Sequence, residues 1–124
     1  MRRKQLQEVV RRMTQRPDVS DEDIGIRTFQ LRKARAVERA VERLRHGLGP
    51  EWSSFTQREI EELEWLFGEM WAYMTRADWE DLHFGNLTTG DIVKLLGLGS
   101  ELRRHSRGAV DIMNEAAAIV RARG

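Results

Sequence analysis

Apolar residues recur along this chain in alternating steps of three and four, the spacing that lines one face of an α-helix. The clearest stretch is Phe55 to Met74, where Ile60, Leu63, Phe67, Met70 and Met74 form a seam that Leu66, Trp71 and Tyr73 widen. It opens on a complete start signal. Thr56 can accept from the backbone N–H of Glu59, the Glu59 carboxylate can accept from the N–H of Thr56, and Phe55 can pack on Ile60 across the cap. The same order of apolar residue, hydroxyl cap, acidic third position and apolar fourth position recurs in Val19, Ser20, Asp23 and Ile24, in Met74, Thr75, Asp78 and Trp79, and in Leu87, Thr88, Asp91 and Ile92. Four start signals predict four helices.

Residues 2 to 16 predict a further helix, with Leu6, Val9, Val10 and Met13 on one face and Pro17 closing it. The helix that starts near Asp21 carries a seam through Ala34, Val37, Val41, Leu44 and Leu48, and Gly47, Gly49 and Pro50 end it. The Thr75 signal opens a short helix of about two to three turns, terminated by Gly85 and Asn86. From Ile92 the positions Leu95, Gly99, Leu102, Ser106, Ala109, Met113, Ala116 and Val120 hold one unbroken alternation to the C-terminus. That register predicts one long helix. It is expected to kink between Gly97 and Ser100, the alternative being two helices parted there, because a glycine costs roughly 1 kcal/mol in a helix interior and two stand there beside a serine. The fold class is therefore all-α, a small bundle of about five helices with a long, kinked C-terminal helix. Residues 1 to 124 are read as a single domain, made of a basic helical arm (1 to 50) and a remainder (51 to 124) holding the acidic central helix, the short helix and the C-terminal helix.

Composition agrees with one small core and narrows the setting. The chain has 124 residues, of which 40% are hydrophobic, enough for one domain. No run approaches the roughly 18 apolar residues of a membrane span, and the first residues, MRRKQLQEVVRRM, have no apolar segment of the signal-peptide type. Cytoplasmic location without membrane contact is the resulting expectation. With no cysteine, disulfides and thiolate metal sites are ruled out.

Charge adds a pattern that the net value of +1 conceals. Residues 1 to 50 carry 13 basic against 7 acidic side chains, residues 51 to 91 carry 2 against 10, and residues 92 to 124 carry 6 against 3. Such blocks can dock on one another, join subunits, or present their basic ends to a polyanion. Arginine outnumbers lysine 18 to 3, a choice that suits bidentate pairing with phosphate or carboxylate and equally suits an arginine-rich coding bias. Two clusters are candidate nucleic-acid contacts: Arg2, Arg3, Lys4, Arg11, Arg12 and Arg16, and later Arg103, Arg104 and Arg107. On the outside of the second helix Arg32, Lys33, Arg35, Arg39, Arg43 and Arg45 alternate with Glu38 and Glu42.

The apolar tail Ala116 to Val120 needs cover, and the small residues along its seam permit close helix approach. Either the chain's own bundle or a second subunit supplies that cover. Met113, Ala116 and Val120 are accordingly candidates for a homo-oligomer interface. Trp65 and Trp79, in the acidic middle, are candidates for a protein interface, since Trp is enriched at binding hot spots; the competing reading buries them under the short helix. Trp71 is assigned to the core.

Catalytic chemistry finds little support. Glu80-x-x-His83 has the spacing that places a carboxylate and an imidazole on one helix face, as in di-iron bundles, but there is a single copy. His46 at a helix end and His105 among arginines have no partner for acid–base or nucleophilic work. Neither a glycine-rich phosphate loop nor a Gly-x-Ser-x-Gly elbow is present. An enzyme is not expected, nor are a metal, a cofactor or a small-molecule substrate.

Residues Leu87 to Gly108, LTTGDIVKLLGLGSELRRHSRG, join a threonine-capped helix with an early aspartate to a charged stretch ending Arg-Gly. This segment resembles the later part of phage terminase small subunits. The resemblance covers under a fifth of the chain. It implies an all-helical, ring-forming, non-enzymatic subunit that binds viral DNA and regulates a motor ATPase supplied by another chain. A recognisable helix-turn-helix is missing, so no site residue is carried over from that family. The sequence thus leads to a non-catalytic helical assembly protein that self-associates and binds DNA through arginine-rich helices. The alternative is a protein-binding adaptor without nucleic acid, using Trp65, Trp79 and the acidic middle.

Overall fold

A computed structural model of the chain describes residues 21–122, with side-chain surroundings from residue 25 onward. It is all-helical: five α-helices and two 3-10 turns, with no strand among the described residues. The α-helices are α1 (Asp21–Leu48), α2 (Gln57–Tyr73), α3 (Arg76–Glu80), α4 (Thr89–Arg104) and α5 (Ala109–Arg121), with the 3-10 turns Gly49–Ser54 and Phe84–Asn86 before α2 and before α4. The N-terminal helix expected at residues 2 to 16 and the Ser20 cap lie outside the described residues.

Two compact units divide between Arg32 and Lys33, inside α1. The reason lies in the α1 seam. From Lys33 on, Val37, Ala40, Leu44 and Leu48 are buried in the bundle core, so this half of the helix belongs to the second unit. In the first unit Ile26, Phe29 and Leu31 are exposed.

The second unit is centred on α2. Leu63, Leu66, Phe67 and Met70 are buried on its seam, and α4 packs against both α2 and α5. Phe67 meets Phe84 edge-on at 4.8 Å between ring centroids, which locks the turn after α3 to the middle of α2. Removing a ring buried like this one costs about 3–5 kcal/mol. Tyr73, read as part of the widened seam, is exposed instead, and Trp71 is only half-buried.

The caps form as the sequence implies. Around Thr56 the Glu59 N–H donates to the Thr56 hydroxyl at 3.1 Å and the Thr56 N–H donates to the Glu59 carboxylate at 2.9 Å. Thr88 and Asp91 repeat this box at 3.2 and 2.9 Å, and Thr75 accepts from the Asp78 N–H at 3.1 Å. Each hydroxyl cap contributes about 1 kcal/mol. Asp91 is buried as well as capping, so the start of α4 is pinned inside the bundle.

Gly47 does not end α1. The helix passes through it to Leu48 and is terminated by Gly49, whose φ of 59° suits a residue without Cβ. Gly47 has another reason to be glycine: a Cβ there would lie 2.1 Å from the carbonyl oxygen of Gly85. The end of α1 and the Phe84–Asn86 turn touch backbone to backbone.

The long C-terminal helix is two helices. The chain runs helically through Gly97, Gly99 and Ser100 without interruption, and Gly99 is buried with its missing Cβ facing Leu66 at ordinary contact distance. A Cβ at Gly99 would fit against Leu66, so the packing of α2 on α4 does not itself require glycine there. The break comes later, at His105, which adopts the left-handed conformation (φ 53°, ψ 34°). Its N–H donates to the Leu102 carbonyl at 3.3 Å while the Ser106 N–H donates to the Glu101 carbonyl at 3.2 Å. These are the two bonds of a Schellman ending, made without the usual glycine at a cost of about 1 kcal/mol.

After this turn α5 folds back on the core. Met113, Ala116 and Val120, expected at a subunit interface, are buried within the chain itself, together with Ile112 and Ala117. Burial of that seam needs no second subunit, because the corner at His105 returns α5 to its own bundle.

Candidate nucleic-acid interface

The second half of α1 shows two faces of opposite character. Inward, Val37, Ala40, Leu44 and Leu48 enter the core. Outward, Arg35, Arg39, Arg43 and His46 follow one another at steps of four, four and three, which puts them on a single stripe. All four are exposed. None makes an ion pair or side-chain hydrogen bond among the described residues. From Arg35 to Arg43 the stripe advances about 12 Å along the helix, with one guanidinium per turn. Glu38 and Glu42 border it on one side, and Glu42 is taken up by Arg45. Helical spacing encoded this stripe, yet the alternation with Glu38 and Glu42 reads as an ordinary solvated face in the linear sequence.

Two of the arginines singled out by clustering, Arg103 and Arg107, behave differently. Arg103 donates from Nε to the Glu62 carboxylate at 2.7 Å, and its guanidinium lies 3.9 Å from the Trp65 ring centroid. Arg107 donates to Glu101 at 2.8 Å from Nε and to Glu115 at 2.8 Å from Nη2. Hydrogen bonds to Glu101 and then Glu115 hold the Arg107 pKa above its ordinary value. Arg104 is exposed and has no partner among the described residues. Part of the acidic middle is thus neutralised internally: Glu62 by Arg103, and Glu69 by Lys33 at 4.0 Å. Arg2, Arg3, Lys4, Arg11, Arg12 and Arg16 lie outside the described residues.

Both tryptophans proposed for a protein interface are half-buried and engaged within the chain. Trp79 packs on Phe84, with ring centroids 5.2 Å apart, and Trp65 carries Arg103 on its face. The Glu80 and His83 pair does not share a helix face. α3 ends at Glu80, and His83 follows in a non-helical conformation. Among the described residues no group of three potential metal ligands comes together, and no helix is long and apolar enough to cross a membrane.

Compared with family models, with curated proteins and with solved structures, the chain matches none.

Proposed function

We propose that this chain is a non-catalytic, helical DNA-binding protein that grips the phosphate backbone through the outer face of α1. The observation that carries the reading is the contrast in pairing: Arg103, Arg107 and Arg45 are occupied by carboxylates, whereas Arg35, Arg39 and Arg43 have no partner among the described residues and share one exposed stripe. Guanidinium groups at one-turn intervals meet phosphates without reading bases, so the binding is positional rather than sequence-specific. Viral genome packaging, alongside a partner motor ATPase, is a narrower form of the same proposal and rests on the resemblance of Leu87 to Gly108 alone.

Anisotropy titration of a labelled DNA duplex between 50 and 200 mM salt tests the reading. Affinity should fall linearly on a log–log plot, and simultaneous Arg35→Ala, Arg39→Ala and Arg43→Ala should flatten the slope by about 3. Absence of binding at 50 mM salt, or an unchanged slope in the triple variant, would sink it.

A further inference from the structure

The apolar register of α4 continues into α5 as though the chain did not turn between them. Leu95, Gly99 and Leu102 are buried before the corner and Met113, Ala116 and Val120 after it, and all six keep the alternation of a single helix through Ser106 and Ala109. A two-helix hairpin has no need of that continuity, since each helix sets its own phase. The corner is held by the His105 and Ser106 backbone bonds and by the Ser106 hydroxyl, which donates to the Glu101 carbonyl at 3.3 Å. It depends on His105, the one non-glycine residue with positive φ among the described residues. It also depends on Arg107, which bridges Glu101 of α4 to Glu115 of α5. Beyond it α5 starts at Gly108 without a side-chain cap.

We propose that α4 and α5 straighten into one helix, Thr89 to Arg121, and that two copies of the chain exchange their α5 segments to form a dimer. The partner must be a second copy. α5 buries Ile112, Met113, Ala116, Ala117 and Val120, so it leaves its place only if an equivalent segment fills it, and an identical chain supplies one that restores these core contacts. Locally the two forms are close. Straightening releases the left-handed His105 and completes the helical hydrogen bonds of residues 105 to 108, while it surrenders the Arg107 bridge and places Gly108 in a helix interior. Concentration then selects between them. This inference does not rest on DNA binding.

Three substitutions push the equilibrium in opposite directions. Gly108→Ala fits the bent form, because its Cβ would meet the Asp111 carboxylate at an ordinary 3.7 Å, and it favours the straight helix by about fivefold per chain. Each dimer straightens two hinges, so its dissociation constant should drop by about 25-fold. Arg107→Ala should act in the same direction by removing the bridge. His105→Gly relieves the bend and should weaken the dimer by a similar factor.

Sedimentation equilibrium of the full chain and these variants reads the effect. Exchange is read separately, since the chain has no cysteine and the exposed positions Lys94 and Ala118 can carry spin labels after Lys94→Cys and Ala118→Cys. Diluted with unlabelled chain, the dimer should give an intrachain separation of about 36 Å, the span of 24 helical residues, which a bent chain does not reach. A monomer at all concentrations in Gly108→Ala, a dimer that keeps the monomer's intrachain distance, or a dimer indifferent to His105→Gly would each overturn the proposal.

Discussion

Arg39 and Arg103 are both exposed arginines on amphipathic helices, and they differ in what faces them. Arg103 emerges from α4 beside the acidic face of α2, so Glu62 and the Trp65 ring take its charge. Arg39 emerges from α1 on the face opposite its buried seam, with Arg35 and Arg43 one turn to either side and no carboxylate among the described residues paired with them. The difference teaches that density of arginine along the sequence is a poor guide to free positive charge. Helix phase and the neighbouring element decide it. Charges near a packed acidic helix are spent within the fold, and charges one turn apart on an outer face remain available to a polyanion.

Breaking the contrast takes two variants in one assay. Arg35→Glu, Arg39→Glu and Arg43→Glu together should reduce DNA affinity at 50 mM salt by on the order of a hundredfold, since three contacts are lost and three repulsions added. Helical content by circular dichroism should hold, as these side chains point away from the core. Arg103→Ala with Arg107→Ala should leave affinity within about twofold, because neither guanidinium is free. Equal losses in the two variants would show that both regions, or neither, contact the nucleic acid.

A smaller effect sharpens the same contrast from the acidic side. Glu38 and Glu42 flank the α1 stripe and oppose a phosphate backbone. Glu38→Gln with Glu42→Gln should strengthen DNA binding by roughly three- to tenfold at 50 mM salt, and the gain should shrink as salt rises. No change at any salt would mean that the duplex does not approach this face.

Much of the fold was legible because its signals are local. The capping boxes at Thr56 and Thr88 need only residues three apart, and both form. The seams of α1 and α2 follow from helical period: Val37, Leu44 and Leu48 of the first and Leu63, Phe67 and Met70 of the second are buried, while Val41 is partly buried and Ala34 exposed. Where the reading went astray, a non-local cause was at work. Gly97 and Gly99 look like helix breakers, but α4 runs through both, held by the packing of its buried residues against α2 and α5. Gly47 looks like a terminator, but it is small because Gly85 lies against it. The true break at His105 has no glycine and leaves the apolar register in phase, so nothing in the pattern marks it. The candidate interface follows the same rule. Its three arginines are visible at helical spacing, yet the absence of partners depends on where α2 and its carboxylates sit, which only the packed bundle determines.

The least effect expected is the most specific to the paired region. Arg103→Ala removes one exposed ion pair and one cation–π contact, which contribute about 0.5–1 kcal/mol together at a solvent-facing site. That corresponds to a loss of roughly 2–6 °C in Tm for a domain of this size. Part of the ion-pair share should vanish at high salt, whereas the contact with Trp65 is less sensitive because it includes packing of the guanidinium plane on the ring. Thermal melts of the wild type and Arg103→Ala at low and high salt separate the two. A difference that narrows with salt but does not close is the expected result, with Trp65 emission altered in the variant. Identical melts at every salt concentration would mean that Arg103 is held no more firmly than Arg39, and the contrast between the two arginine populations would then lose its physical basis.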